Sequence, residues 1–287
     1  MKSPFNWVGN KYKYINEINK LTNKKYDKIV DLFMGSGNIL LNLNIEANHY
    51  IGNDIIPLLT NIYKELIINN YQYDINLFNE ICKQYNDFSN KQDYYNFRKD
   101  WNSNYKISTY NKNFILETLL LLKMCSNSMV RFNNKGEFNQ GFRGCHGPFF
   151  NEITKNNIIN ELNNLSNFLQ NKNYKFTNFD CLKLLDNLKD TKNNLIILDP
   201  PYISSLGMYN LSSYNKEKDL QILNYLNNTK NDFIYFNYLI NENFEYLELK
   251  EFAKNYNIEI INDKTCSGQN RKLNVKSIKE VLIYKIS

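Results

Sequence analysis

The short apolar run at 28–33 (KIVDLF) is stopped by Gly35-Ser36-Gly37 and followed by Ile39, Leu40 and Leu43 at helical spacing. Strand, glycine turn and helix in that order constrain the chain more than any other feature, because parallel strands pair only after a crossover. A second strand at 49–53 (HYIGN) ends at Asp54, and Pro57 then opens a helix bearing Leu58, Leu59, Ile62 and Leu66. One βαβ unit is expected here. From about 66 to 165 the pattern becomes helical and rich in Tyr and Phe, broken by a polar loop at 126–147. Strands resume at 174–179, 195–198, 232–238, 257–261 and 280–286. The expected fold class is α/β: a doubly wound Rossmann-like sheet built from residues 1–65 and 166–287, with 66–165 as a mostly helical inserted domain.

Composition narrows the functional classes. At 287 residues and 43% hydrophobic, the chain buries a sizeable core, and 10 Gly and 5 Pro exclude a low-complexity composition. No apolar run reaches the roughly 18 residues that span a bilayer, and the first residues lack a signal-peptide core, so a cytoplasmic location without membrane contact is expected. Five scattered cysteines form no C-x-x-C pair, and the two histidines, His49 and His146, stand 97 positions apart. A disulfide framework, a zinc site and a Ser-His-Asp triad therefore lack raw material, and no metal is expected. The net charge of +6 is uneven: residues 1–28 hold seven Lys against Glu17 and Asp27, and residues 264–287 hold six Lys or Arg against Glu280. Two basic ends around an acidic middle fit a polyanionic partner; the alternative is that these lysines only solubilise the chain.

Two short segments carry chemistry. Gly35 and Gly37 let the backbone turn tightly at a strand end and approach a ligand closely. Asp54, an acid ending the second strand 17 residues beyond Gly37, stands where a ribose hydroxyl pair would be gripped. The turn lacks both the third glycine of a dinucleotide fingerprint and the Gly-Lys-Ser/Thr of a P-loop, so an adenosine ligand without phosphates, such as S-adenosylmethionine, fits better. The second segment, Asp199-Pro200-Pro201-Tyr202, follows the strand at 195–198 and makes a rigid corner at the sheet edge where open α/β folds bind ligands.

In these blocks and their order the chain resembles the Dam-type class of N6-adenine DNA methyltransferases. Phe5-Asn6-Trp7-Val8-Gly9-Asn10-Lys11 is similar to the family's W-x-G-G-K block, and the segment from Asp31 to Gly37 to its F-x-G-x-G block. Arg131-Phe132-Asn133-Asn134-Lys135-Gly136-Glu137-Phe138-Asn139 is similar to R-x-N-x-K-G-x-F-N, D-P-P-Y is the catalytic motif, and Cys266 to Leu282 resembles the C-terminal run. Asn10 replaces a second Gly, and Gln140-Gly141-Phe142-Arg143-Gly144 replaces a V-P-F-G run.

The resemblance implies a site-specific DNA adenine methyltransferase that moves methyl from S-adenosylmethionine to N6 of a flipped adenine in double-stranded DNA, within a restriction-modification or a phage or host modification system. It implies Asp199 and the Pro200 carbonyl as acceptors of the amine hydrogens, and Tyr202 as the residue that stacks on the extruded base. Trp7, Lys11, Phe33, Gly35, Gly37, Asp54 and Asp199 would hold the cofactor, while packing for Trp7 and a solvated surface position for Lys11 are the alternatives. Asp180 is either a contact to the cofactor's adenine or a helix N-cap.

Only four arginines occur in a lysine-rich chain, and two of them, Arg131 and Arg143, lie in the 126–147 loop. Planar two-point contacts to guanine or phosphate favour Arg, so the loop, with Asn133, Lys135 and Asn139, is assigned to DNA, as are Arg271 and Lys272 near the C-terminus. A monomer in solution is expected. The rival readings are a methyltransferase acting on RNA or protein glutamine, whose corners usually begin with Asn, and a non-catalytic nucleic-acid-binding scaffold.

Overall fold

The computed structural model describes residues 1–7, 9–107, 110–145, 147–203, 214–242, 244–266 and 276–287. Its sheet contains β1 (Tyr26–Asp31), β2 (Ala47–Asn53), β3 (Tyr174–Thr177), β4 (Asn194–Leu198), β5 (Asp232–Glu242), β6 (Phe244–Glu245), β7 (Asn257–Cys266) and β8 (Lys276–Lys285). The order is β3-β2-β1-β4-β5-β8-β7, with β6 paired to β5. β1 runs parallel to β2 and β4, and β4 parallel to β5, whereas β8 is antiparallel to both β5 and β7. This is the α/β, Rossmann-like sheet expected, with strand order running outward from β1 on both sides.

Two compact units divide the chain. One comprises Met1–Ile15, Gly35–Asn42 and Ile56–Phe176; the other comprises Asn16–Met34, Leu43–Ile55 and Thr177–Ser287. In the second unit β4 (NLIIL) is buried along its whole length, the pattern of a central parallel strand covered on both faces. Val30, Leu32, Ile196, Leu198, Phe233, Tyr235, Val281 and Ile283 pack there against apolar residues of three helices, Cys181–Asp186, Lys216–Asn228 and Leu247–Ala253. Within the first unit, the helix Pro57–Asn69 begins at Pro57 as the sequence predicts and ends on Asn70 in the left-handed conformation.

The abundant asparagines do structural work at helix starts. Asn90, Asn111 and Asn151 each accept a backbone N–H of the first turn of the helices Lys91–Lys106, Lys112–Met124 and Glu152–Leu169, and Asn215 does the same for Lys216–Asn228. Trp101 is buried against Phe114, with ring centroids 5.2 Å apart, and donates its indole N–H to Thr118 Oγ1 at 2.9 Å. No described helix is long and apolar enough to cross a membrane.

One local expectation fails. The helix predicted from Ile39, Leu40 and Leu43 is only a 3-10 turn at Leu40–Asn42. Asn42 Nδ2 donates to the carbonyls of Asn38 (2.8 Å) and Met1 (2.7 Å), and Asn38 Oδ1 accepts the Ser3 N–H at 2.8 Å. These side-chain bonds to backbone compete with a helical ladder, so apolar spacing alone overstates helix here.

Candidate active site

The buried strand β4 ends at Leu198, and the next four residues form the Asp199-Pro200-Pro201-Tyr202 corner. Proline cannot continue the strand's hydrogen-bond ladder, which is why the chain turns there. Asp199 is half-buried and Pro200 buried. Tyr202 is only 7% exposed, and its hydroxyl lies 3.0 Å from Asp199 Oδ1 and 3.1 Å from Glu280 Oε1. Its ring meets Tyr238 edge-on at 4.5 Å. The ring is thus held by Tyr238 and through its hydroxyl rather than standing out into solvent. Burial first, and the two carboxylates second, push the Tyr202 phenol well above its ordinary range, so it keeps its hydrogen and can donate it.

At the neighbouring strand ends a buried amide fixes the backbone. Asn53 Nδ2 donates to the carbonyls of Leu32 (3.2 Å) and Phe179 (3.0 Å), and its Oδ1 accepts from Thr177 Oγ1 (2.8 Å) and the Phe179 N–H (2.9 Å). Asp54 follows directly. Its N–H donates to Thr177 O at 3.2 Å and its carbonyl accepts from Asn178 Nδ2 at 3.1 Å, leaving a half-buried carboxylate on a rigid mount. Phe33 lies edge-on to Tyr214 at 5.6 Å, and Tyr214 is itself anchored by its hydroxyl, 2.5 Å from the buried Asp219 carboxylate. Asp180 accepts the Leu182 N–H at 3.0 Å as a helix cap and pairs with Lys218 at 2.6 Å, which is the capping alternative for this residue. Burial pushes the Asp180 carboxyl up, but the hydrogen bonds from Lys218 and Leu182 outweigh it and hold the group below the ordinary carboxylate range.

In the first unit the glycine turn meets the N-terminal block. Gly35 (φ +47°) and Gly37 (φ +74°) both occupy the left-handed region. A Cβ on Gly35 would lie 2.7 Å from Trp7 Cδ1, so the half-buried indole rests directly on the glycine backbone. Lys11 is 5% exposed and donates to the Gly9 carbonyl at 2.8 Å, which removes the solvated-surface alternative for it. A flat aromatic wall, a side-chain-free turn and a buried ammonium suit an uncharged nucleoside and a carboxylate, so the residues present fit an adenosyl amino acid.

The described residues of the 126–147 loop contain a short hairpin. Phe132 and Phe138 form an antiparallel bridge, and the Asn139 N–H donates to the Arg131 carbonyl at 3.2 Å. Asn133 Oδ1 accepts the N–H groups of Lys135 (2.9 Å) and Glu137 (3.0 Å), so Asn133 shapes the turn of this hairpin. Asn102 clamps the hairpin, accepting the Phe138 N–H at 2.8 Å and donating to its carbonyl at 3.1 Å. Arg131, Lys135, Asn139 and Arg143 are exposed, and the Arg143 guanidinium lies 4.9 Å from the Phe149 ring centroid. Arg98, outside the loop, braces it by donating to the Gln140 carbonyl at 2.8 Å. Arg271 and Lys272 lie outside the described residues.

The model of the D12 class N6 adenine-specific DNA methyltransferase family matches residues 7–267. The chain belongs to this D12 class. It is similar to the modification methylase StsI of Streptococcus sanguinis, 30% identical over 237 residues, which cover 79% of this chain and 33% of that protein. It is 27% identical over 269 residues to the type II methyltransferase M.FokI of Planomicrobium okeanokoites, covering 90% of this chain and 39% of the relative. A DNA adenine methylase of Haemophilus influenzae is 28% identical over 211 residues, 72% of this chain and 66% of the relative. The D12 chain thus spans between a third and two thirds of these relatives. D12 membership implies a methyl donor. Two residues of this D12 chain were left without a role by sequence reasoning: Asn53, whose only signal is its place before Asp54, and Glu280, whose only signal is its place in the C-terminal run.

Proposed function

We propose that this D12-class chain is a site-specific DNA methyltransferase that takes methyl from S-adenosylmethionine and places it on N6 of an adenine extruded from double-stranded DNA. The reading is carried by the Asp199-Pro200-Pro201-Tyr202 corner at the end of the central parallel strand β4 in a chain of this family. The adenine amine is a weak nucleophile because its lone pair is delocalised into the ring. Asp199 and the Pro200 carbonyl accept its two N–H bonds and draw the nitrogen toward tetrahedral geometry. As positive charge develops on that nitrogen, the same carboxylate and dipole stabilise it, their fixed positions spare reorganisation, and the methylated nitrogen then loses one of its two hydrogens as a proton to solvent. When bound, the sulfonium cofactor supplies an electrophilic methyl group.

Trp7, Lys11, Phe33, Gly35, Gly37 and Asp54 are the residues proposed to hold that cofactor, with Asp54 accepting from the ribose hydroxyls. For Asp180 the Leu182 cap and the Lys218 pair support the helix N-cap reading over a contact to the cofactor's adenine. Residues 66–165 are proposed as the target-recognition domain, with Arg131, Lys135, Asn139 and Arg143 facing DNA and Asn133 shaping their hairpin. The enzyme is proposed to act in the cytoplasm as a monomer, within a modification system.

The test is transfer of labelled methyl to duplex DNA followed by digestion to nucleosides. Label in N6-methyladenine is expected, and Asp199→Ala should lower the single-turnover rate by at least about 10²-fold, the scale of one preorganised electrostatic group, with DNA affinity little changed. Label in cytosine, transfer to RNA alone, or an Asp199→Ala variant at near-parental rate overturns the reading.

A further inference from the structure

Glu280 is 5% exposed and sits in β8 directly opposite Tyr238 of β5 and Asn262 of β7. Both neighbouring strands are irregular at that level: the register shifts between Tyr238 and Ile240 in β5 and between Ile260 and Asn262 in β7. An extra residue on each side bends the flanking strands, and such bulges re-aim side chains beside functional sites. The Glu280 carboxylate reaches the Tyr202 hydroxyl at 3.1 Å, while Asp199 reaches the same oxygen at 3.0 Å from the other carboxylate.

A phenol has one hydrogen and two lone pairs. The single hydroxyl hydrogen can point to only one of these two carboxylate oxygens at any moment, and the other oxygen then faces a lone pair. Where the hydrogen goes decides the acceptor strength of Asp199. If Tyr202 donates to Asp199, one of the oxygens needed by the adenine amine is already satisfied. If it donates to Glu280, that Asp199 oxygen gains most by accepting from the amine.

Building on the reading of Asp199 as the amine acceptor, we infer that Glu280 is a positioning residue for methyl transfer, drawing the Tyr202 hydrogen away from Asp199 so that Asp199 accepts from the adenine amine. The raised phenol of Tyr202 fits this, because the hydroxyl keeps the hydrogen that Glu280 directs. Glu280 touches Tyr202 and needs no contact with adenine or cofactor.

The experiment compares single-turnover methylation, cofactor affinity and DNA affinity in the full chain and five variants, Asp199→Ala among them. Glu280→Gln offers its amide N–H to the Tyr202 oxygen and turns the phenolic hydrogen toward Asp199; the rate should fall by about tenfold, the scale of one net hydrogen bond, with both affinities within about twofold. Glu280→Asp keeps an acceptor and should fall less. Tyr202→Phe has no hydrogen to direct, so adding Glu280→Gln to it should cost nothing further. A purely structural Glu280 would instead give equal losses in both backgrounds, and that result overturns the inference, as does a Glu280→Gln rate within about twofold of the parent. Should Glu280→Gln fail to fold, the inference stands or falls on Glu280→Asp: loss beyond tenfold in a folded, cofactor-binding Glu280→Asp protein overturns it. A parent that methylates adenine and loses activity in Asp199→Ala while Glu280→Gln stays active refutes the role of Glu280 alone; a parent that transfers no methyl to DNA refutes the underlying function and this inference with it.

Discussion

Gly35 is under two constraints at once. Its φ of +47° disfavours any L side chain, and the Trp7 indole stands where a Cβ would be, 2.7 Å away. The sequence shows the first constraint as a G-x-G turn after a strand; the second is invisible in it, because Trp7 and Gly35 are separated by 27 intervening residues. Gly35→Ala should therefore strain the turn and displace the indole, at a cost of about 1–3 kcal/mol, which corresponds to a loss of S-adenosylmethionine affinity of roughly 5- to 160-fold. Calorimetric titration reads this directly, with circular dichroism as the check on folding. Unchanged affinity would remove the glycine turn and Trp7 from the cofactor site. Lys11 makes the same point: spacing allowed a surface lysine, and only the packed chain shows it 5% exposed with its ammonium on the Gly9 carbonyl.

At the scale of elements, the hairpin at 131–139, proposed to face DNA, depends on a residue far from its own sequence. Asn102, on the helix Lys91–Lys106, makes both amide bonds to Phe138, and Lys106 pairs with Glu137 at 2.7 Å. Removing the clamp with Asn102→Ala leaves the Phe138 N–H and carbonyl without those partners, at about 1–3 kcal/mol. Hydrogen exchange should speed up across 131–139, and DNA affinity should fall because Arg131 and Asn139 lose their fixed mount, while S-adenosylmethionine affinity stays at the parental value. Unaltered exchange in the hairpin would show that its other contacts, the Phe132–Phe138 bridge and the Lys106–Glu137 pair among them, hold it without Asn102. The family-like block marks 131–139 within what the sequence shows only as a polar loop, and nothing in its composition announces the hairpin or that Asn133 spends its oxygen on the turn.

For the whole molecule, the proposed association with DNA is testable at the basic N-terminal segment. Lys2 and Lys13 are exposed. If they contact phosphates, the Lys2→Gln, Lys13→Gln double variant should bind cognate and altered duplexes more weakly by similar factors, and the slope of log affinity against log salt should flatten by about two. Titrations at several salt concentrations measure it; an unchanged slope assigns these lysines to solubility. The sequence by itself determined the α/β class, the run of parallel strands and the two strand-end motifs, because periodicity, glycine turns and the Pro-Pro corner act within a few residues. It overstated the helix after Gly37, where asparagine side chains take the backbone's hydrogen bonds. Only the tertiary structure decided that β8 enters antiparallel beside β5 and that Glu280 faces Tyr202 across 78 positions of sequence. Such pairings depend on strand register, bulges and burial, and those arise from contacts between segments whose distance along the chain carries no local signal.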